Sequence, residues 1–237
     1  MLWGGEFVKF LKKKLSELLV QYKALVIMAV YAVFYLAAFF YLERRTVAVH
    51  EINFAVDAYI PFCEVFVIPY LLWFAYVAVV IVYFFFRNKE DYFKTCTFLF
   101  TGMTIFLLVS TLWPNGHHLR PYTMPRDNIF TDLVAALYRA DTPTNLWPSI
   151  HVYNSLGCHI AVMRSRQLKK YRSIRIGSFL LCTSIIMSTV FIKQHSLFDV
   201  MTAFIMAAVM YGLVYRSDVL LNFYHSTQSR RKRNPKI

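Results

Sequence analysis

The sequence predicts an all-α integral membrane protein, a six-helix bundle with a short amphipathic interfacial helix in its outer loop. Three observations carry that prediction. Hydrophobic residues make up 58% of the 237-residue chain and charged residues 16%, against about 25% charged in an ordinary soluble domain. The apolar residues come in long uninterrupted runs, suited to helices in lipid rather than to half-buried elements with period 2 or 3.6. The charges gather between the runs.

Taken in order, residues 1–23 are basic, and Phe7, Leu11, Leu15 and Leu18 share a helical face beside Lys9 and Lys12 to Lys14. That pattern suits a helix lying on anionic lipid. Residues 24–42 are 19 without a charge, longer than the apolar core of a secretory signal and with no small-residue cleavage site, so they read as a retained first span. A polar connector occupies 43–59. The second span covers about 62–86, with Glu64 near its start; a charged turn occupies 87–94, and the third span is 95–113.

Residues 114–147 form the longest segment outside the spans. Within it Ile129, Phe130, Leu133, Val134, Leu137 and Tyr138 recur at helical spacing between Asp127 and Asp141, which predicts a short amphipathic helix at the interface. Trp113 and Trp147 flank the segment as aromatic-belt residues do. The fourth span, 149–163, is short and contains His151 and His159, with Pro148 expected in its first turn. A basic run over 164–175 leads to the fifth span, 176–192, and the sixth is 197–215. The expected division is a cytoplasmic segment 1–23, a membrane domain 24–215 and a cytoplasmic tail 216–237 carrying Arg230-Arg231-Lys232-Arg233. Cys63, Cys96, Cys158 and Cys182 lie in or beside apolar runs without paired spacing, so they read as buried thiols rather than as disulfides or a zinc site.

The net charge of +13 invites a nucleic-acid reading, but its distribution argues against one. Of the 26 Lys and Arg, 20 fall on the side that holds both termini and 6 on the other. The positive-inside rule then places both termini in the cytoplasm, and the excess charge is accounted for by topology and by anionic lipid at the basic segments. Nucleic acid is therefore not an expected partner. A multi-pass protein of the plasma membrane is the expected setting.

The same topology brings Arg120, Ser149, His151, His195 and Asp199 to one outer face. Ionisable groups at the mouth of a span are costly unless they act. His195 and Asp199 are four apart, one helical turn, and a carboxylate beside an imidazole fixes its tautomer and stabilises the imidazolium. His151 opens another helix and can protonate a leaving oxygen. Arg120 offers a planar fork of donors for a phosphate. The first turn after Pro148 presents free backbone N–H groups, and Ser149 adds a hydroxyl. A nucleophile, an acid and an anion cradle at headgroup level suggest phosphoryl transfer on a lipid.

Three stretches carry a resemblance: Arg120-Pro121; Pro148-Ser149-Ile150-His151-Val152-Tyr153-Asn154-Ser155; and Ser188 through His195 to Asp199-Val200. In order and spacing they resemble the motifs of the type 2 phosphatidic acid phosphatase superfamily, which includes the vanadium haloperoxidases and the sphingolipid head-group transferases. The resemblance spans about residues 95–215. It implies that His195 attacks phosphorus and forms a phosphohistidine, oriented by Asp199, while His151 protonates the leaving alcohol and then activates water or an acceptor alcohol. Arg120, Ser149 and the Ile150 backbone N–H would hold the equatorial oxygens, with no metal or other cofactor. Two family cations are missing: Trp113 stands where the pattern has Lys, and Thr189 where it has Arg. Lys193 is the candidate replacement for one.

Expectation therefore favours hydrolysis of a phosphatidic acid-like lipid or a polyprenyl phosphate. The alternatives are transfer of a phosphate-bearing head group, inositolphosphate- or phosphocholine-like, to another lipid alcohol, and a non-catalytic lipid-binding relative. Among the remaining polar groups, His159 is expected to pack, and the His117-His118 pair to lie exposed at the interface rather than to ligate a metal or touch substrate. Asp141 and Asn145 are read equally as site groups and as capping or turn residues, and Glu64 as a minor candidate for the substrate cleft.

Overall fold

The computed structural model describes residues 3–217 and, in the first helix, the side chains from Leu19 onward except 20, 21 and 24. The amphipathic face of 1–23 thus lies largely outside the described residues, as does nearly all of the basic tail 216–237. Seven α-helices are described: α1 Trp3–Glu43, α2 Val67–Arg87, α3 Lys89–Leu112, α4 Ile129–Ala140, α5 Ile150–Arg164, α6 Arg172–Phe191 and α7 Leu197–Tyr211. Two short strands, β1 (His50–Glu51) and β2 (Asn115–Gly116), pair in parallel. The chain divides into two compact units, Met1–Arg45 and Thr46–Ile237. The first is α1, one continuous helix where an interfacial segment and a span were expected. The second holds every other element.

Among the described residues five helical stretches are long and apolar enough to cross a membrane: Leu25–Glu43, Glu64–Arg87, Lys89–Leu112, Arg172–Phe191 and Leu197–Arg216. The expected fourth span is different. Helix α5 has 15 residues, a rise of about 22 Å, short of a hydrocarbon core of about 30 Å. It packs against α2, α3, α6 and α7, and ten of its residues are buried. Side chains that a lipid-facing helix would spend on hydrocarbon are here spent on neighbouring helices.

The close approach of α3 to α5 depends on two glycines. A Cβ at Gly157 would sit 2.6 Å from the Phe98 ring and 2.8 Å from Leu99, and one at Gly102 would enter the Tyr153 ring. Small residues at such crossings let helices in lipid gain contact where no hydrophobic force drives them together. Tyr153 fills the space, stacked on Phe98 at 4.8 Å and donating its hydroxyl to the Phe98 carbonyl at 2.8 Å.

Helix boundaries differ from the sequence reading where charges end a hydrophobic run but not the helix. The predicted turn over 87–94 shrinks to Asn88, whose side chain caps α3 by accepting from the Glu90 and Asp91 N–H groups. Lys94 and Glu90 then pair one turn apart at 2.6 Å. Pro148 lies before α5 rather than in its first turn; Ser149 takes the cap, its Oγ accepting from the Val152 N–H at 3.4 Å. The amphipathic helix appears as α4, capped by Asn128. Its face divides, with Phe130, Val134, Leu137 and Tyr138 packing on Val67, Tyr70 and Ile192, whereas Ile129 and Leu133 stay exposed. Helix α4 thereby covers the junction of α2 with the end of α6.

Candidate active site

The site is built around the turn between α6 and α7. Helix α6 ends in a Schellman arrangement: the Lys193 N–H bonds the Val190 carbonyl at 3.1 Å and the Gln194 N–H bonds that of Thr189 at 2.9 Å. Lys193 occupies the left-handed position, φ 54°, where glycine is usual and a side chain costs about 1 kcal/mol. Its ammonium offsets the strain by donating to the carbonyls of Asp57 at 2.7 Å and Ile60 at 2.6 Å. Burial lowers the Lys193 pKa, and the Asp57 carboxylate opposes the shift. Lys193, expected as a phosphate-binding candidate, has its ammonium on the segment that precedes α2, because the left-handed turn aims it there.

Asp57 completes the joint. Its carboxylate, 1% exposed, accepts from the Leu197 N–H at 2.9 Å and the Phe54 N–H at 2.7 Å, so it caps α7 from 140 residues away. Asp57→Ala leaves both N–H groups short of an acceptor and is expected to cost about 2–4 kcal/mol. Thermal unfolding in detergent checks this, with Asp57→Asn losing less because it keeps one acceptor oxygen.

His195 is the residue just before the α7 cap. Ser196 and Asp199 form a capping box: the Ser196 hydroxyl accepts from the Asp199 N–H, and Asp199 Oδ2 accepts from the Ser196 N–H at 3.0 Å. The same Oδ2 lies 3.4 Å from His195 Nδ1. Thus the carboxylate that fixes the start of α7 also faces the imidazole. Both groups are buried.

His151, in the first turn of α5, faces His195 with ring centroids 5.7 Å apart. Two aromatic rings from α2 flank it: Tyr70 stacks at 4.4 Å and Trp73 lies tilted at 4.4 Å. Among the described residues neither His151 ring nitrogen has a hydrogen-bond partner. An imidazole held by packing alone keeps both nitrogens for a ligand.

Arg120 reaches the site from the outer loop. Its guanidinium donates to Gln194 Oε1, to the Thr142 carbonyl at 3.1 Å and to the Tyr138 carbonyl at 3.4 Å, and lies 4.3 Å over the Tyr138 ring. Gln194, next to His195, donates in turn to Asp141 Oδ2 at 3.4 Å, which also accepts from the Tyr70 hydroxyl at 3.2 Å. Asp141 therefore joins the polar network behind the two histidines. Nothing in the sequence singled out Gln194.

The other sequence candidates divide. Ser149 is fully buried and serves as the α5 cap beside the Ile150 N–H, with its hydroxyl hydrogen still able to donate. His117 and His118 are not a matched exposed pair. His118 is exposed, but His117 is 1% exposed, because its backbone is held between Pro143 and the strand pairing at Asn115–Gly116. Burial pushes the His117 pKa down to about 4 against the pull of Asp199; the charges of His195 and Arg120 push the same way as burial. Glu64 binds Arg126 Nε at 2.6 Å and Asn128 at 3.0 Å, so it fastens the outer loop to α2. Asn145 makes a left-handed turn, φ 55°, and His159 packs with Nδ1 3.0 Å from the Ser178 hydroxyl. At the missing-cation positions, Trp113 lies edge-on to Trp147 at 5.2 Å, and Thr189 is buried with its hydroxyl on the Ile186 carbonyl.

The fold and site together define a helical protein with membrane-spanning character and a buried pair of histidines backed by a carboxylate and an arginine. No known protein family, curated protein or solved structure matches the chain.

Proposed function

We propose that this protein is a membrane phosphatase that hydrolyses a lipid phosphate, phosphatidic acid-like or polyprenyl, through a phosphohistidine. The observation that carries the reading is the facing pair of imidazoles, 5.7 Å between ring centroids, with Asp199 Oδ2 3.4 Å behind one of them. The motif resemblance to the type 2 phosphatidic acid phosphatase superfamily supports it, as does the Arg120 fork bound to the residue before His195.

In the proposed reaction His195 Nε2 attacks phosphorus, the bond to the lipid alkoxide breaks, and His151 supplies that oxygen with its proton. Asp199 stabilises the charge that develops on the His195 ring. Water then attacks phosphorus, giving its proton to His151, and the P–N bond breaks with its electrons returning to His195. Arg120, the Ser149 hydroxyl and the first-turn N–H groups at Ile150 hold the non-bridging oxygens. Counted over six crossings, with α5 as a short one enclosed by its neighbours, the charge distribution supports placing both termini in the cytoplasm and the site on the outer face of the plasma membrane.

One observation favours a second reading, transfer of a phospho-head group to a lipid alcohol. The positions that carry cations in the phosphatase pattern are occupied here by a packed Trp113 and a buried Thr189. Detergent-solubilised protein incubated with a panel of lipid phosphates, with and without lipid alcohol acceptors, tests both. Acceptor-independent release of inorganic phosphate is expected, unchanged by EDTA. Acceptor-dependent product favours transfer, and no turnover with either favours a lipid-binding role.

A further inference from the structure

We propose that a cleft between the C-terminal halves of α5 and α7 holds one anionic phospholipid, its acyl chain between the helices and its phosphate on Arg164 and Arg216. The proposal does not rest on the phosphohistidine reading. It concerns the other end of the bundle, about 20 Å along α5 from His151 at 1.5 Å per residue.

The cleft follows from a mismatch in helix length. Helix α5 stops at Arg164, whereas α7 continues through a π-helical turn, Gly212–Arg216. Leu156 and Ile160 sit one turn apart on α5, and Phe204, Ala208 and Tyr211 share a face of α7. With Arg216 these side chains line a cavity of about 470 Å³, within the range of about 300–1,000 Å³ typical of ligand sites. Small residues keep it open. Ala208 is exposed, and a Cβ at Gly212, one turn further on, would meet nothing within 4 Å.

The mouth of this apolar cleft is cationic. The Arg164 and Arg216 guanidinium carbons lie 5.9 and 5.7 Å from the Tyr211 ring centroid, and Tyr211 is itself stacked on Tyr215 at 5.7 Å. One ring thus gathers two exposed guanidiniums, one from each wall. The ion pairs among the described residues are Lys94–Glu90, Arg126–Glu64 and His195–Asp199, so neither arginine is spent on a carboxylate. The turn after Arg164 adds Arg166, Lys169 and Lys170 and no acidic residue.

Apolar walls ending in paired guanidiniums match a lipid with a long chain and a phosphate. Arginine forks suit phosphate oxygens, and the charge-based topology puts this end at the cytoplasmic leaflet, where anionic lipids gather. The charge argues against the chain's own tail as occupant. Residues 218–237 carry five Lys or Arg and one acidic residue, the same sign as the mouth.

The test uses delipidated full-length protein in detergent, titrated with dioleoyl phosphatidylglycerol or dioleoyl phosphatidylcholine and read by native mass spectrometry. One phosphatidylglycerol is expected to remain bound at concentrations where phosphatidylcholine does not. The double variant Arg164→Gln, Arg216→Gln should weaken that binding on the order of 10-fold or more, because each basic group contributes to holding an anionic lipid. Ala208→Phe keeps both guanidiniums but fills the cleft, and should weaken it comparably, with thermal stability close to wild type because Ala208 is exposed. Glycerol 3-phosphate, which has the phosphate without the chain, should not compete. Equal retention of both lipids by the wild type overturns the proposal, since that is ordinary solvation by lipid. Undiminished phosphatidylglycerol binding in either variant also overturns it, as does competition by glycerol 3-phosphate. Loss of binding in His195→Ala but not in the arginine variant would place the lipid in the histidine site instead, and so overturns this inference while leaving the proposed reaction standing.

Discussion

His195→Ala is expected to abolish turnover, with a loss on the order of 10⁶-fold, the scale seen when a covalent nucleophile is removed. The expectation follows from position as well as residue type. His195 stands between a Schellman turn and a capping box, so its backbone is fixed from both sides, and Asp199 Oδ2 faces its Nδ1. The Nε2 edge is left for phosphorus. Acid-labile, alkali-stable ³²P label should appear in the wild type after rapid quenching and vanish in His195→Ala. The fold should survive, because the α7 cap is made by Ser196, Asp199 and Asp57 rather than by the imidazole. Appreciable turnover in a folded His195→Ala protein would sink the nucleophile assignment.

His151→Gln should lower kcat on the order of 10²–10⁴-fold on a natural lipid phosphate, the range for a lost general acid. Its diagnostic feature is dependence on the leaving group. A lipid alkoxide is a poor leaving group and needs a proton in the transition state, whereas a nitrophenolate leaves largely unaided. The variant should therefore lose much less activity in forming the phosphoenzyme from p-nitrophenyl phosphate than from the lipid. Hydrolysis of the phosphoenzyme still needs a base, so label on His195 should accumulate with the aryl substrate. Equal losses on both substrates, without accumulation, would assign His151 to positioning rather than proton transfer. The Tyr70 and Trp73 rings that flank His151 give it its orientation without using either nitrogen, which is what the alternating acid and base roles require.

Much of the fold was legible because apolar runs report directly on helices in lipid. Five of the six expected spans coincide with helices long and apolar enough to cross. The remaining one, the expected fourth span, corresponds to α5, whose 15 residues are covered by neighbouring helices; a run of apolar residues does not say whether lipid or protein will cover it. Tight contacts at Gly102 and Gly157 made it a buried helix. The spacing of His195 and Asp199 pointed to their proximity, but the contact is made by the α7 cap rather than by a helical turn: His195 precedes the cap residue, and Asp199 reaches back to it from the first turn. The facing of His151 and His195 had no such local signal.

The same distinction separates the remaining site residues. Lys193 looked like an anion ligand by its nearness to His195 in sequence, yet a positive φ turned its ammonium to carbonyls more than 130 residues away. His117 looked like half of an exposed pair, yet strand pairing and the Pro143 carbonyl buried it. Asp57 sat unremarked in a polar connector and emerged as the cap of α7. By itself the sequence determined the helical character, five of the long apolar helices and the residue types present in each motif, because these depend on composition and on neighbours along the chain. Only the tertiary structure decided which polar groups spend their hydrogen bonds on the fold, because those partners come from distant parts of the chain.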